Sequence, residues 1–343
     1  MIALAADLLA PRARGHSQPD YVTLFRVTIR GGGWVADWNV EGKVVLITGA
    51  ARGIGAAAAE RLSARGATLS LVGLEPARLR ALAERLGSDR AAWFEADVTD
   101  SDAVERAVAA TVERFGGLDV VVANAGIHLI GAVQTAPLEQ LERELEVNLF
   151  GAVRTVKAAL PHVVERRGYV LVVASLAAAA HAPLMSAYAA SKAGVEAFTN
   201  CLRQELAPTG TRVGCAYFGF IDTDLVRRSF EHPSTKVAER AMPDFLRRPL
   251  PVDAAAATIE RAVRERRARV WAPRWVGAML ALRGILQPLS ERLAVRRGHV
   301  AEAVRLTDPR VVATAQDPRL GIAVPAGGDS ADAQTAERSG QAS

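Results

Sequence analysis

The sequence predicts an α/β protein built on a doubly wound parallel sheet of the Rossmann-like type. Three observations predict it: short apolar runs rich in Val, Ile and Leu, helical segments between them, and a glycine-rich turn directly after the first run. Strands that are apolar along their whole length are typical of a parallel sheet covered by helices on both faces. We therefore expect one large α/β domain.

Seven apolar runs are predicted to form the strands. They cover residues 43–49, 67–73, 91–98, 118–126, 168–175, 212–219 and 268–273. Between them Ala, Leu, Arg and Glu recur with a helical period, which predicts helices over 53–65, 76–87, 101–115, 138–166, 186–206 and 253–267. A strand followed each time by a helix is the repeating pattern of a parallel sheet.

The two ends of the chain differ in composition from this regular middle. Residues 1–40 are predicted to be a flexible N-terminal extension, and 41–273 the α/β domain. A helical extension, both basic and apolar, is predicted for 274–306. The tail, residues 307–343, is rich in Ala, Gly, Ser and Asp without apolar periodicity, so we expect it to be disordered.

Composition excludes several classes of protein. The chain has 343 residues, 50% of them hydrophobic, and a net charge of +5. Its arginines alternate with glutamates along predicted helices, which is typical of solvated faces and not of a nucleic-acid surface. Cys201 and Cys215 have no metal-ligand spacing, so we expect no metal site, and we expect both to be small core residues in a reduced, cytoplasmic setting.

The first predicted strand runs into "TGAARGIG", residues 48–55. Glycines permit a tight turn and let a backbone approach a pyrophosphate closely, while the following helix offers free N–H groups and a partial positive charge. A glycine-rich turn between the first strand and the first helix therefore predicts a dinucleotide phosphate site.

A second pattern lies in "SAYAASKAG", residues 186–194, where Tyr188 and Lys192 stand one helical turn apart among small residues. Both side chains project from one face of a helix. A neighbouring lysine favours the phenolate, so we expect a lowered pKa for Tyr188 and a phenol that can give or take a proton.

Together these motifs resemble the short-chain dehydrogenase/reductase family, over about residues 41–273. Further segments match it: "ANAG" (123–126), "EVNLFG" (146–151), a serine thirteen residues before the tyrosine, and "YFGFIDT" (217–223). The resemblance implies a catalytic set of Ser175, Tyr188, Lys192 and Asn148. It implies cofactor contacts from Thr48, Gly49, Arg52, Gly53, Ile54, Gly55, Asp97, Val98, Asn124, Ala125, Gly126, Tyr188, Lys192, Ile221 and Thr223.

The resemblance also implies a separate role for each catalytic residue. Ser175 would hydrogen-bond a substrate carbonyl, Tyr188 would transfer the proton, and Lys192 would tune Tyr188 and hold the nicotinamide ribose. Asn148 would anchor a water that links Lys192 to solvent. The family's proline before Gly219 is Phe218 in this chain, a departure that alters the loop. His181 is expected to be a loop or pocket-wall residue.

The cofactor is predicted to be NADP(H) in preference to NAD(H). No carboxylate stands directly after the second strand, where Gly73 and Leu74 occur and Glu75 comes later. An acidic residue at that place would bind the ribose hydroxyls of NAD. Arg52 is instead placed to pair with a 2′-phosphate.

The substrate is expected to be a hydrophobic ketone, aldehyde or alcohol, such as a lipid, steroid-like or acyl compound. The segment 218–250 would close over it with an apolar wall of Phe218, Phe220, Leu225, Phe230 and Phe245. Arg227, Arg228, Arg247 and Arg248 are expected to be solvated surface residues.

Alternatives remain open for one segment and for the function. The segment 271–290 contains two tryptophans and an apolar run, with arginines at both ends. It would suit a peripheral contact with the inner membrane surface, a helix over the substrate site or a subunit contact. The chain could instead be a sensor that binds NAD(P) without turnover. The family resemblance implies a homo-oligomer.

Overall fold

A computed structural model describes residues 38–239, 248–296 and 299–308. Its centre is one sheet of seven parallel strands in the order β3-β2-β1-β4-β5-β6-β7. The strands are β1 (Val44–Thr48), β2 (Thr68–Gly73), β3 (Ala91–Glu95), β4 (Val120–Ala123), β5 (Tyr169–Val173), β6 (Arg212–Phe218) and β7 (Arg269–Ala272). The predicted doubly wound α/β fold is therefore confirmed.

Helices follow the strands along the chain. In the described residues they are α1 (Gly53–Ala64), α2 (Pro76–Leu86), α3 (Ser101–Phe115), α4 (Leu138–Leu145), α5 (Gly151–Glu165), α6 (Ser186–Glu205), α7 (Asp224–Glu231), α8 (Pro233–Glu239), α9 (Val252–Glu265), α10 (Arg274–Arg296) and α11 (His299–Arg305).

The sheet separates two hydrophobic cores because successive strand residues point to opposite faces. Val45 and Ile47 of β1 pack into a core shared with α1, α2 and α9. Val44 and Leu46 of the same strand face a second core shared with α3, α5 and α6. All strands are parallel, so their carboxyl ends meet at one edge of the sheet, and the order reverses between β1 and β4.

Three local expectations differ from the structure. The helix predicted over 138–166 is interrupted by a π-helical turn at Glu146–Phe150. The segment after β6 is not one long loop, because it contains α7 and α8. Cys215 is buried as expected, whereas Cys201 is exposed because it lies on the outer face of α6.

The C-terminal helices pack against the α/β domain. On α10, Val276 is buried, Arg283 donates to Glu196 on α6 at 2.7 Å, and the Gln287 side chain bonds the backbone of His181. Within the described ranges, no helix has the length and apolarity needed to span a bilayer. The N-terminal extension up to residue 37, the tail from 309 onward, Phe245 and Arg247 lie outside the described residues.

Candidate active site

The turn between β1 and α1 is shaped by glycines that could carry no larger residue. Gly49 and Gly53 have φ of +66° and +56°, in the left-handed region that favours glycine. A Cβ on Gly55 would lie 2.3 Å from the carbonyl oxygen of Gly49. No side chain caps the start of α1, so its first N–H groups point towards the turn without an acceptor from the N-cap residue Arg52. These uncapped backbone N–H groups, with no side chain over them, suit the binding of a pyrophosphate.

Thr48 and Asn124 hold this turn against the end of β4. The Thr48 hydroxyl accepts the backbone N–H groups of Asn124 and Ala125 at 3.1 and 3.2 Å. The Asn124 amide donates to the carbonyl of Thr48 at 2.9 Å and to that of Gly49 at 3.4 Å. The two strand ends at the reversal of strand order are thus fixed to each other.

A cavity of about 310 Å³ opens above these strand ends. Most of the predicted site residues line it: Gly49, Arg52, Gly53, Ile54, Asp97, Val98, Asn124, Ala125, Gly126, Ser175, Tyr188, Lys192, Ile221 and Thr223. Thr48, Gly55 and Asn148 do not line it. They lie behind its wall, where Thr48 and Gly55 shape the turn and Asn148 holds the segment after β4.

The predicted catalytic side chains come from three neighbouring parts of the chain. Ser175 follows β5, while Tyr188 and Lys192 lie on the first turns of α6. The Ser175 hydroxyl faces the Tyr188 phenol, donates to the carbonyl of Phe218 at 3.4 Å and accepts the N–H of Ala177 at 3.1 Å. The ammonium of Lys192 lies 5.7 Å from the centre of the Tyr188 ring and donates to the carbonyl of Val173 at 3.0 Å.

Asn148 occupies the π-helical turn before α5, a kind of irregularity that is frequent at functional sites. Its carbonyl oxygen accepts the N–H of Ile127 at 2.8 Å, and its amide donates to the carbonyl of Ile127 at 2.9 Å. A Cβ on Gly126 would lie 3.1 Å from Asn148 and 3.6 Å from the Lys192 ammonium. Asn148 therefore fixes the backbone beside Lys192.

Burial dominates the electrostatics of the pair. It raises the pKa of Tyr188, an effect that the Ser175 hydrogen bond opposes and the charge of Glu144 reinforces. It lowers the pKa of Lys192 to about 8, a shift that the nearby charge of Glu144 only partly opposes. The expected lowering of the Tyr188 pKa by Lys192 is therefore wrong for this structure, because removing the phenolate from water outweighs a lysine that is itself buried.

Charged residues surround the end of the cavity nearest β2. Arg52 does not stand alone there: its Nε donates to Glu75 at 2.8 Å, and its guanidinium lies 3.5 Å from Asp224. On the neighbouring strand end, Asp97 accepts the Thr99 N–H at 2.9 Å and pairs with Arg143 at 3.1 Å. Burial opposes ionisation of Asp97, but these two partners hold its pKa below the usual range.

The wall that follows β6 is mainly apolar. Phe218 and Leu225 line the cavity, whereas Phe220 and Phe230, whose rings lie 5.1 Å apart, are not part of its lining. His181 is exposed and its backbone bonds Gln287, so it belongs to a surface loop. Arg227 is exposed as expected, and it is paired with Asp222 and Asp224.

Sequence reasoning missed a pair of residues next to Tyr188. His128 follows β4, and its Nδ1 lies 3.0 Å from the buried carboxyl of Glu144 on α4. Their separation of sixteen residues fits no motif. One signal was available: Glu144 comes three residues after Leu141, so a carboxyl stands on the inward face of a predicted helix. Across the described ranges, no three His, Cys, Asp or Glu residues are grouped as metal ligands.

Comparison with known proteins gives consistent matches. A family model described as short chain dehydrogenase matches residues 43–234. Trans-4-hydroxycyclohexanecarboxylate dehydrogenase of Sinomonas cyclohexanicum is 38% identical over 195 residues, covering 54% of this chain and 75% of that protein. The 11-beta-hydroxysteroid dehydrogenase-like 6 protein of Arabidopsis thaliana is 35% identical over 266 residues, covering 75% of this chain and 77% of that protein.

Solved structures share the fold. The crystal structure of a short chain dehydrogenase from Burkholderia cenocepacia in complex with NADP superposes with a TM-score of 0.59 at 34% identity, covering 66% of this chain and 91% of that one.

Proposed function

The chain belongs to the short chain dehydrogenase family and is an oxidoreductase, and from this premise we propose that it interconverts a hydrophobic ketone or aldehyde with the corresponding alcohol, using NAD(P). The observation that carries the proposal is the position of Tyr188. Its ring is half-buried, and its phenol faces Ser175 and lies beside Lys192 in the same cavity that the glycine turn opens into.

The residues of this chain then take defined roles. Gly49, Gly53 and the start of α1 would hold the cofactor phosphates, and a bound nicotinamide supplies the hydride chemistry. Ser175 donates a hydrogen bond to the substrate carbonyl. Tyr188 delivers the proton in reduction; its phenol, whose pKa burial raises, is protonated at neutral pH. Lys192 holds positive charge beside the reacting oxygen.

The direct test is Tyr188→Phe, which keeps the ring and removes the proton donor. We expect turnover of apolar ketones to fall by about 10²- to 10⁴-fold, with the Kd for NADPH unchanged. Tyr217→Phe is the matched control, because Tyr217 is also a buried tyrosine but lies in the core away from the cavity lining. Retained turnover in Tyr188→Phe would refute the mechanism.

The sensor alternative has its own outcome in this experiment. Wild-type protein that binds NADPH tightly but turns over none of a panel of carbonyls and alcohols would support a non-catalytic NAD(P) sensor. The position of the phenol argues against it, because a sensor has no use for a proton donor that faces Ser175 and Lys192 in the cavity.

NADP(H) is the proposed cofactor in preference to NAD(H), supported by Arg52 at the β2 end of the cavity and by the relative that was crystallised with NADP. Glu75 competes for Arg52, so its charge works against a 2′-phosphate. In fluorescence titrations we expect Arg52→Gln to lower the NADPH preference and Glu75→Gln to raise it. An NADH preference in the wild type would contradict the proposal.

The substrate class proposed is a hydrophobic cyclic or acyl compound. The apolar wall of Phe218 and Leu225 supports it, as do relatives named for a hydroxycyclohexane carboxylate and a hydroxysteroid. A panel of cyclic ketones against short polar aldehydes tests it. Equal kcat/KM for both sets would contradict it. A cytoplasmic location is proposed from the cysteine usage, and a homo-oligomer from the family resemblance. Gel filtration with light scattering tests the oligomer.

A second candidate is a lipid-modifying reductase that works at a membrane surface. On α10, Leu282, Ile285 and Leu289 share one face and are exposed, with Ile285 reaching 71%. In flotation with anionic liposomes, the wild type should rise with the vesicles and Ile285→Ser should not. Gly284→Ser is the matched control, because Gly284 lies off that face and a Cβ there meets nothing within 4 Å. Identical flotation of wild type and Ile285→Ser would overturn this candidate.

A further inference from the structure

A carboxyl is buried beside the proton donor. Glu144 lies near the end of α4 with its side chain only 1% exposed. Its Oε1 accepts the backbone N–H of Leu129 at 2.8 Å and lies 3.0 Å from Nδ1 of His128. A carboxyl at such a place is costly unless it is hydrogen-bonded, and these contacts compensate it.

The partner of this carboxyl is in direct contact with Tyr188. The His128 and Tyr188 ring centres are 4.4 Å apart, with the planes tilted by 45°. That separation is close enough for the rings to touch, so the orientation of one restricts the other. Because Glu144 bonds Nδ1, the imidazole cannot rotate about its own axis without losing that bond.

Helix α4 and the π-helical turn after it hold the chain on both sides of His128 through hydrogen bonds. Glu144 holds Leu129, and Asn148, one turn later, holds both the N–H and the carbonyl of Ile127. Residues 127–129 are thus fixed on either side of the imidazole. Any shift of His128 away from Tyr188 would break part-buried hydrogen bonds.

The charge of Glu144 also reaches the reacting groups. It raises the pKa of both Tyr188 and Lys192. In the described residues, the titratable groups that act on Tyr188 are His128 from the segment after β4, Glu144 from α4 and Lys192 from α6, and the Ser175 hydroxyl faces it from the end of β5. An apolar residue at 144 would pack without exerting this influence.

We propose that Glu144 and His128 form a positioning pair for the proton donor: Glu144 fixes the imidazole, the imidazole fixes the Tyr188 ring, and the carboxylate of Glu144 places a buried negative charge near the phenol. The inference rests on the proposed function, because it assumes that Tyr188 transfers the proton. Neither residue lines the cofactor cavity, so the pair acts on the chemical step and not on cofactor binding.

Two variants test the pair. His128→Ala removes the ring that contacts Tyr188, and we expect kcat to fall by roughly 10- to 100-fold with the NADPH Kd unchanged. Glu144→Gln keeps the size and the acceptor for Leu129 but removes the charge. We expect it to move the pH profile of kcat/KM to lower pH, because both pKa values that Glu144 raises then fall.

Each variant has a matched control. Glu142→Gln is the same change on the exposed side of α4, and His162→Ala is a histidine change on α5, outside the cavity lining. Wild-type kcat in His128→Ala, or an unshifted pH profile in Glu144→Gln, would overturn the proposal. A lower unfolding temperature with an unshifted profile would also overturn it, since that is the result for a purely structural clamp.

Tyr188→Phe, measured alongside, separates the two levels of inference. Retained turnover in Tyr188→Phe would refute the proposed function itself. An inactive Tyr188→Phe together with wild-type behaviour of His128→Ala and Glu144→Gln would refute only the positioning pair.

Discussion

The phosphate end of the cavity presents backbone to its contents, whereas the wall that follows β6 presents side chains. At the first end, a Cβ on Gly55 would lie 2.3 Å from a carbonyl oxygen. At the second, Phe218 and Leu225 line the cavity, and the rings of Phe220 and Phe230 in the same segment lie 5.1 Å apart. A backbone surface tolerates no added atom, while a side-chain surface can be repacked. The shape of the phosphate end is therefore fixed by the backbone, whereas the side chains of the wall after β6 can change to suit the substrate.

The largest expected effect would come from adding one methyl group to the backbone end. Gly55→Ala places a Cβ against the Gly49 carbonyl and the Asn124 amide, at 2.3 and 2.8 Å. Overpacking of this kind costs about 1–3 kcal/mol or more, so we expect NADPH binding to weaken by at least about tenfold. Gly284→Ala on α10 is the matched control, because a Cβ there meets nothing within 4 Å. Equal NADPH titration curves for the two variants would contradict the claim that the phosphate end tolerates no added atom.

Lys192 stands between the two ends and gives the next largest effect. Its folded pKa is about 8 against 10.5 when unperturbed, so between these values the unfolded chain holds a proton that the folded chain lacks. The stability of the wild type should therefore rise with pH across this window, by up to about 3 kcal/mol. Urea unfolding at several pH values below 10 should show this rise against Lys192→Met. Parallel curves for the two proteins would contradict it.

Asn124→Ala tests how far the backbone end depends on one side chain. The change removes the amide bonds to the Thr48 and Gly49 carbonyls but leaves the backbone N–H bonds to Thr48. We expect about 1–2 kcal/mol lower stability and weaker NADPH binding. Asn200→Ala, a surface asparagine that bonds Arg203 and Arg269, is the comparison. Unchanged NADPH affinity in Asn124→Ala would show that the strand ends hold the turn alone.

The smallest effect is expected at the side-chain end. Phe230→Ala removes the ring contact with Phe220, which is worth about 0.5–1.5 kcal/mol. We expect KM for an apolar ketone to rise a few-fold while the NADPH Kd stays constant. Steady-state kinetics and a cofactor titration on one preparation measure both. A parallel loss of NADPH binding would mean that the two ends are not separate units.

The same contrast explains what the sequence could predict. Glycine spacing and apolar runs follow from backbone geometry, so the strands and most helices were predicted correctly, while the cofactor contacts expected around the turn stay a prediction. The π-helical turn at Glu146–Phe150 was not, because one extra residue in a helical turn leaves the apolar period almost unchanged. Helices α7 and α8 were missed because their segment was interpreted from its aromatic content.

Electrostatic contacts were the hardest part to predict. The spacing of Tyr188 and Lys192 is local, but the burial that raises the Tyr188 pKa comes from the whole fold. Arg52 was expected to pair with a 2′-phosphate, yet it pairs with Glu75 and with Asp224, which begins α7 after β6. Such tertiary partners are set by packing, and no sequence spacing encodes them.

The exposed position of Cys201 makes the enzyme easy to label. The chain has two cysteines, and burial raises the pKa of Cys215 to about 11, so that thiol is a poor nucleophile. A maleimide dye would therefore attach to Cys201 without any mutation. The dye would sit on α6, the helix that carries Tyr188 and Lys192 nearer its start. Its fluorescence would report, in real time and in protein without any substitution, whether that helix moves when ligands bind.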